Sequence, residues 1–131
     1  MCNDKINFDS IVTKLSEGSI MFNKTLALAI GIEEAILYYV LFEEYLQLYQ
    51  SNQLDIEGWF HISAVDLQIK TSFSAKVQKR LADNLISLDL IDKKIASRKA
   101  YYKIRLDPDK IQRYLDIGSQ RTQNLQERQL C

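Results

Sequence analysis

A chain of 131 residues with 47% apolar content is long enough for one hydrophobic core and too short for two comfortable domains. With one Pro and four Gly among plentiful Leu, Gln, Glu, Lys and Ala, it should be mainly helical. The formal net charge of zero conceals a split: residues 70–105 hold ten Lys or Arg against three acids (Asp83, Asp89, Asp92), whereas residues 1–69 hold three Lys against ten acids and residues 106–131 balance.

A field of that shape has one basic face, for which polyanions are the natural partner. The start, Met1-Cys2-Asn3-Asp4-Lys5, lacks the basic run and apolar stretch of a secretory signal, so a cytoplasmic location is expected. Cys2 and Cys131 stand alone at opposite ends, which argues for two free thiols and against a disulfide framework or a metal site.

Residues 1–18 are weakly periodic, with Ile11 and Leu15 at helical spacing and Glu17-Gly18 as a stop, which predicts a short, loosely held helix in an N-terminal extension. Residues 24–30 predict a second short helix broken at Gly31. A longer helix starts near Glu33 and runs to about Tyr49, with two acids at the favourable end of its dipole. Residues 26–42 are strongly apolar, but Gly31, Glu33 and Glu34 interrupt the run and the two adjacent carboxylates would be costly in lipid, so buried helices and no membrane association are expected. Leu37, Leu41 and Leu48 line one side of the long helix, and Tyr38, Phe42, Tyr45 and Tyr49 line another. A helix apolar this far round is buried on two sides. The tyrosine stripe is covered either by the C-terminal helix or by a second copy in a homodimer.

Trp59-Phe60-His61-Ile62 reads as a strand, and Ser63 with Asp66 three residues on reads as the capped start of a short helix. Thr71-Ser72-Phe73 is a turn. Ser74 caps the next helix, which runs to about Leu88 with Val77, Leu81, Leu85 and Leu88 on one stripe and Lys76, Lys79 and Asp83 opposite, Arg80 at the edge. Leu90, Ile91 and Ile95 lie in one strand and Tyr102, Ile104 and Leu106 in another. The basic stretch Ser97-Arg98-Lys99-Ala100 lies between them, as the tip of a hairpin. Asp107-Pro108 opens a last helix ending near Gly118, and the Gln- and Arg-rich residues after it read as a frayed tail.

A short helix, a tight turn, a second helix and a two-stranded hairpin make a winged helix-turn-helix, so the expected fold class is mainly α (α+β) with a small β-hairpin wing. The expected division is an extension over residues 1–18, the winged domain over 19–107, a C-terminal helix over 108–118 and a flexible tail over 119–131. A helix of this kind fits the major groove, where its first turns reach bases and phosphates. Lys70, Ser72, Ser74, Lys76, Lys79 and Arg80 are the candidate double-stranded DNA contacts there, with Arg98, Lys99 and Lys103 from the wing. The plain alternative is a solvated basic face, with the tyrosine stripe and hairpin binding protein partners and no DNA.

Catalysis is not expected. His61 is the lone histidine and lies in an aromatic strand. No glycine-rich phosphate loop, ligand-spaced Cys or His pair, or nucleophile motif is present, and no cofactor or metal is implied. Glu33-Glu34 and Glu43-Glu44 read as solvated faces or caps.

Residues 19–107 resemble the winged-helix domains of phage, plasmid and bacterial replication-initiation proteins of the replisome-organizer and primosomal-loader type. The resemblance is carried by Met21-Phe22-Asn23-Lys24 leading into residues 26–37, by Gly58-Trp59-Phe60-His61-Ile62-Ser63, by the helix over 74–88 and by the hairpin ending Tyr102-Lys103-Ile104-Arg105-Leu106. It implies a DNA-binding or replisome-assembly role, with self-association and replication proteins as further partners; a stand-alone DNA-binding protein acting in transcriptional regulation is the competing reading. Asp89 departs from the pattern, since such domains usually place Gly between the helix and the first wing strand. Asp tolerates the left-handed conformation this junction needs.

Overall fold

Four asparagine or serine side chains and one glycine punctuate the helical part of the chain, described by a computed structural model over residues 7–129. Cys2 and Cys131 lie outside the described residues. Asn7 caps α1 (Phe8–Glu17), and Asn23 caps α2 (Lys24–Ile30) by accepting from the Leu26 N–H at 2.8 Å. Gly31, at φ 109°, breaks the helix there and lets α3 (Ile32–Gln50) start in a new direction. After β1 (Phe60–His61), Ser63 accepts from the Asp66 N–H at 3.0 Å and opens α4 (Ala64–Thr71). Ser74 accepts from the Val77 N–H at 3.3 Å and opens α5 (Ala75–Ser87). The chain closes with β2 (Ile91–Ala96), β3 (Lys99–Ile104) and α6 (Pro108–Gln129).

The fold is mainly helical with one small antiparallel sheet in the order β1-β3-β2: a helix-turn-helix formed by α4 and α5, followed by a two-stranded wing. β3 is central, pairing Phe60 with Tyr102 on one side and Ile91 with Ile104 on the other. The inward side chains of the sheet close the end of a core built on Leu37, Leu41, Leu67, Leu81 and Leu85, so a leucine from every helix of the domain's centre meets the base of the wing. Asp89 takes the left-handed position after α5 at φ 59°. The N–H of Leu90 bonds to the Leu85 carbonyl and that of Asp89 to the Ile86 carbonyl, a helix stop usually made with glycine. No helix among the described residues is long and apolar enough to cross a membrane.

Two expectations change. The last helix does not end near Gly118, and residues 119–129 are not a tail: α6 continues to Gln129 and lies along α2. Gly118 is a contact point within the helix, because a Cβ there would overlap the backbone of Thr25. Beyond it, the Arg121 guanidinium donates to the carbonyls of Leu28 and Ala29 and so caps the C-terminal end of α2. The hairpin tip is also shorter than expected. Ser97 and Arg98 alone form the turn, at φ 52° and 64°, and Lys99 and Ala100 already belong to β3.

The tyrosine stripe runs from the core to the surface. Tyr38 is core, 7% exposed, so it is closed to a second copy; Phe42 and Tyr45 are half-buried, and Tyr49 is 63% exposed. Successive rings of the stripe lie 6.0–6.1 Å apart. Among the described residues the Tyr38 hydroxyl has no hydrogen-bond partner, and burial pushes its pKa up to about 12.

Candidate nucleic-acid interface

The turn between α4 and α5 is held by side chains that satisfy its backbone. Thr71 Oγ1 donates to the Leu67 carbonyl at 2.6 Å and accepts from the Phe73 N–H at 3.1 Å, while Ser72 takes a left-handed conformation at φ 67°. Gln78, 5% exposed, sends its amide nitrogen to the carbonyls of Ala64 and Phe73, both at 2.9 Å. Both partners are acceptors, so the amide has only one orientation that fits. This clamp joins the start of α4, the turn and the second turn of α5, and it fixes the angle at which α5 is presented. Gln78 was not singled out in the sequence and Thr71 only as the start of the turn; both carry a polar group at a helical core position.

From that frame the cations of α5 project outward. Lys76, Lys79 and Arg80 are exposed. Lys79 pairs with Asp83 on its own helix and Arg80 with Glu33 at the start of α3, each at 3.2 Å and with side chains about half exposed or more. Surface pairs of this kind are worth about 0–1 kcal/mol, so phosphates can compete for both cations. Glu33 and Glu34 are therefore not merely solvated: Glu34 accepts from Asn84 of α5 at 2.8 Å, and the pair of acids braces α5 against α3. The Ser74 hydroxyl is engaged as the cap of α5, and Ser72 is exposed at the turn.

The acids of the basic segment are all engaged. Asp83 is held by Lys79, Asp89 by Lys110 at 2.8 Å, and Asp92 by Arg105 through two bonds of 3.0 and 2.8 Å. The hydrogen bond and charge of Lys110 lower the Asp89 pKa below its usual value, and Asp92 raises that of Arg105 in the same way. The positive field of this region comes from cations with no ion pair among the described residues: Lys76 on α5, Lys93, Lys94 and Lys103 on the strands, and Arg98 and Lys99 at the wing tip.

Arg98 occupies the second turn position of a two-residue hairpin, where positive φ favours Gly. It is exposed there, with Lys99 beside it. Lys70 and Lys103 are placed differently from the rest. Lys70 borders a groove it shares with Glu17, Glu43 and Glu44, and Lys103 lies over the Trp59 ring near the base of the hairpin. The α4–α5 turn thus brings Ser72, Ser74, Lys76, Lys79 and Arg80 together on neighbouring turns of backbone, while Arg98 and Lys99 form a separate basic tip. Compared with protein-family models, curated proteins and solved structures, the chain has no match.

Proposed function

We propose that the protein is a cytoplasmic winged-helix protein that binds duplex DNA through the first turns of α5 and the tip of the wing, acting in replication initiation or transcriptional regulation. The observation that carries this reading is Arg98. A basic side chain held at a turn position that disfavours it, on the hairpin that follows a helix with Lys76 and Lys79 exposed, fits a wing gripping phosphate. The resemblance to replication-initiation domains supports the replication setting, with replication proteins as further partners.

Phosphate contacts release counterions, so binding should weaken steeply with salt. Replacing Lys76 and Lys79 by Ala should lower the salt slope by about two units, one for each phosphate no longer neutralised, in fluorescence-anisotropy titrations of a duplex. Arg98→Gly should separate function from stability: the hairpin becomes more stable because the left-handed turn is relieved, while duplex affinity falls. Absence of duplex binding at low salt rejects the proposal.

The second reading, a protein-interaction module, draws on α1. Phe8 and Leu15 are each 68% exposed, no residue of the helix is buried, and an apolar groove between α2 and α6 presents Phe22, Leu28 and Leu125. A short amphipathic helix gains little stability alone, and a second copy offers both the helix and the groove. Light scattering should then give a mass that rises toward the dimer with concentration, and Val12→Glu with Leu15→Glu should restore the monomer. A monomer at high concentration rejects self-association.

A further inference from the structure

The outer face of the sheet carries an arrangement that the duplex interface does not use. Alternation along the strands buries Phe60, Tyr102 and Ile91 and turns His61, Tyr101 and Lys94 the other way, and the register sets His61 beside Tyr101 and Tyr101 beside Lys94. The rings of His61 and Tyr101 have centroids 5.7 Å apart. Trp59, immediately before β1, has the Lys94 ammonium 4.3 Å and the Lys103 ammonium 5.8 Å from its ring centroid. His61 Nδ1 lies 2.8 Å from the Ala100 carbonyl. A carbonyl only accepts, so Nδ1 carries the proton and Nε2 of the neutral ring is left as an acceptor.

Three aromatic rings and two lysines therefore occupy one face, and the one acid on the three strands, Asp92, is already paired with Arg105. We infer that this face is a stacking platform for single-stranded nucleic acid, in which Tyr101 and Trp59 take bases and Lys94 and Lys103 take the flanking phosphates. Three strands span about 10 Å, room for two bases side by side. A duplex hides the faces of its bases, whereas an unpaired strand exposes them to aromatic rings. An exposed cation over an indole is held more weakly than a stacked base, so an incoming base displaces Lys94 from Trp59 toward the phosphate beside it. An acidic peptide would engage the lysines and leave the rings unused.

Trp59 is the chain's single tryptophan, so it reports on this face alone. Titration with a twelve-residue oligothymidylate should quench Trp59 fluorescence saturably. Tyr101→Ala should weaken that binding about tenfold and Tyr101→Phe should restore it, with duplex affinity unchanged in both. Lys94→Ala, on an exposed side chain, should weaken the oligothymidylate several-fold and reduce its salt dependence. Lys76→Ala with Lys79→Ala should do the reverse, impairing duplex and sparing the single strand, so failure of one site is told from failure of the other. No quenching by oligothymidylate overturns the inference. Equal affinity for Tyr101→Ala and wild type, or equal quenching by an oligoglutamate of the same charge, also overturns it.

Discussion

Replacing Gly118 by Ala is expected to destabilise the protein, although alanine is the better helix former. In an isolated helix the change would gain about 1 kcal/mol. Here the new Cβ would overlap the Thr25 carbonyl oxygen and lie 2.8 Å from its carbon, and both atoms belong to the backbone of α2. No side-chain rotation relieves such a contact, so the two helices must part. Overpacking between backbones lies at the upper end of the usual range, about 3 kcal/mol, and the net loss is about 2 kcal/mol. A melting temperature lower by roughly 5–10 °C is the expected reading in circular dichroism. Gly118→Leu should cost more, because it also pulls Arg121 from the carbonyls that end α2. An alanine variant as stable as the parent would show that α6 does not lie against α2 as described.

The second large effect is expected at Gln78. Gln78→Met keeps the volume but removes the donor, so the Phe73 and Ala64 carbonyls lose their bond from a buried partner. The expected loss is about 1–3 kcal/mol, measured by urea denaturation. Gln78→Glu should be worse near neutral pH, since a buried carboxylate would face two carbonyl oxygens. Burial and those oxygens raise the folded-state pKa of the new Glu above its unfolded value. The protonated form is then the better tolerated one, and stability should recover as pH falls and be lost again as pH rises through the raised value. Similar stability for Gln78→Glu and Gln78→Met at neutral pH would rule out the clamp. Both variants should also weaken duplex binding, because the clamp sets the angle of α5.

Much of the helical frame was legible because its signals are local. Ser63, Ser74, Gly31 and the leucine stripe of α5 act within one or two turns, and the structure uses each as read. What was missed depends on distant partners. Gly118 has the sequence signature of a helix stop, and only Thr25, far away in the chain, makes it a contact point. The distal half of α6 docks through small and polar groups such as Gly118 and Arg121, so it lacks the apolar period that marks a buried helix. Ser97-Arg98 lacks the Asn-Gly signal of a two-residue hairpin turn. Within the candidate interface, the cations of α5 and the wing tip were readable from charge and period. The engagement of Arg80 by Glu33 and the seating of Lys103 on Trp59 were not, since they link segments more than forty residues apart.

The sheet order has a kinetic consequence. Because β1 precedes the helix-turn-helix and pairs with β3 after it, the chain from His61 to Tyr101 forms a ring closed by two residue pairs. Closing a loop of that length costs roughly 3 kcal/mol in chain entropy, more than so short a ladder returns. The ring is held shut by burial: Phe60 and Tyr102 are both 4% exposed, with ring centroids 6.3 Å apart. The hairpin β2–β3 and the helices form from near neighbours, while β1 has to wait for a hydrophobic surface to land on. Its closure is therefore expected as the late step of folding, after the hairpin and the helices have built the surface that receives Phe60.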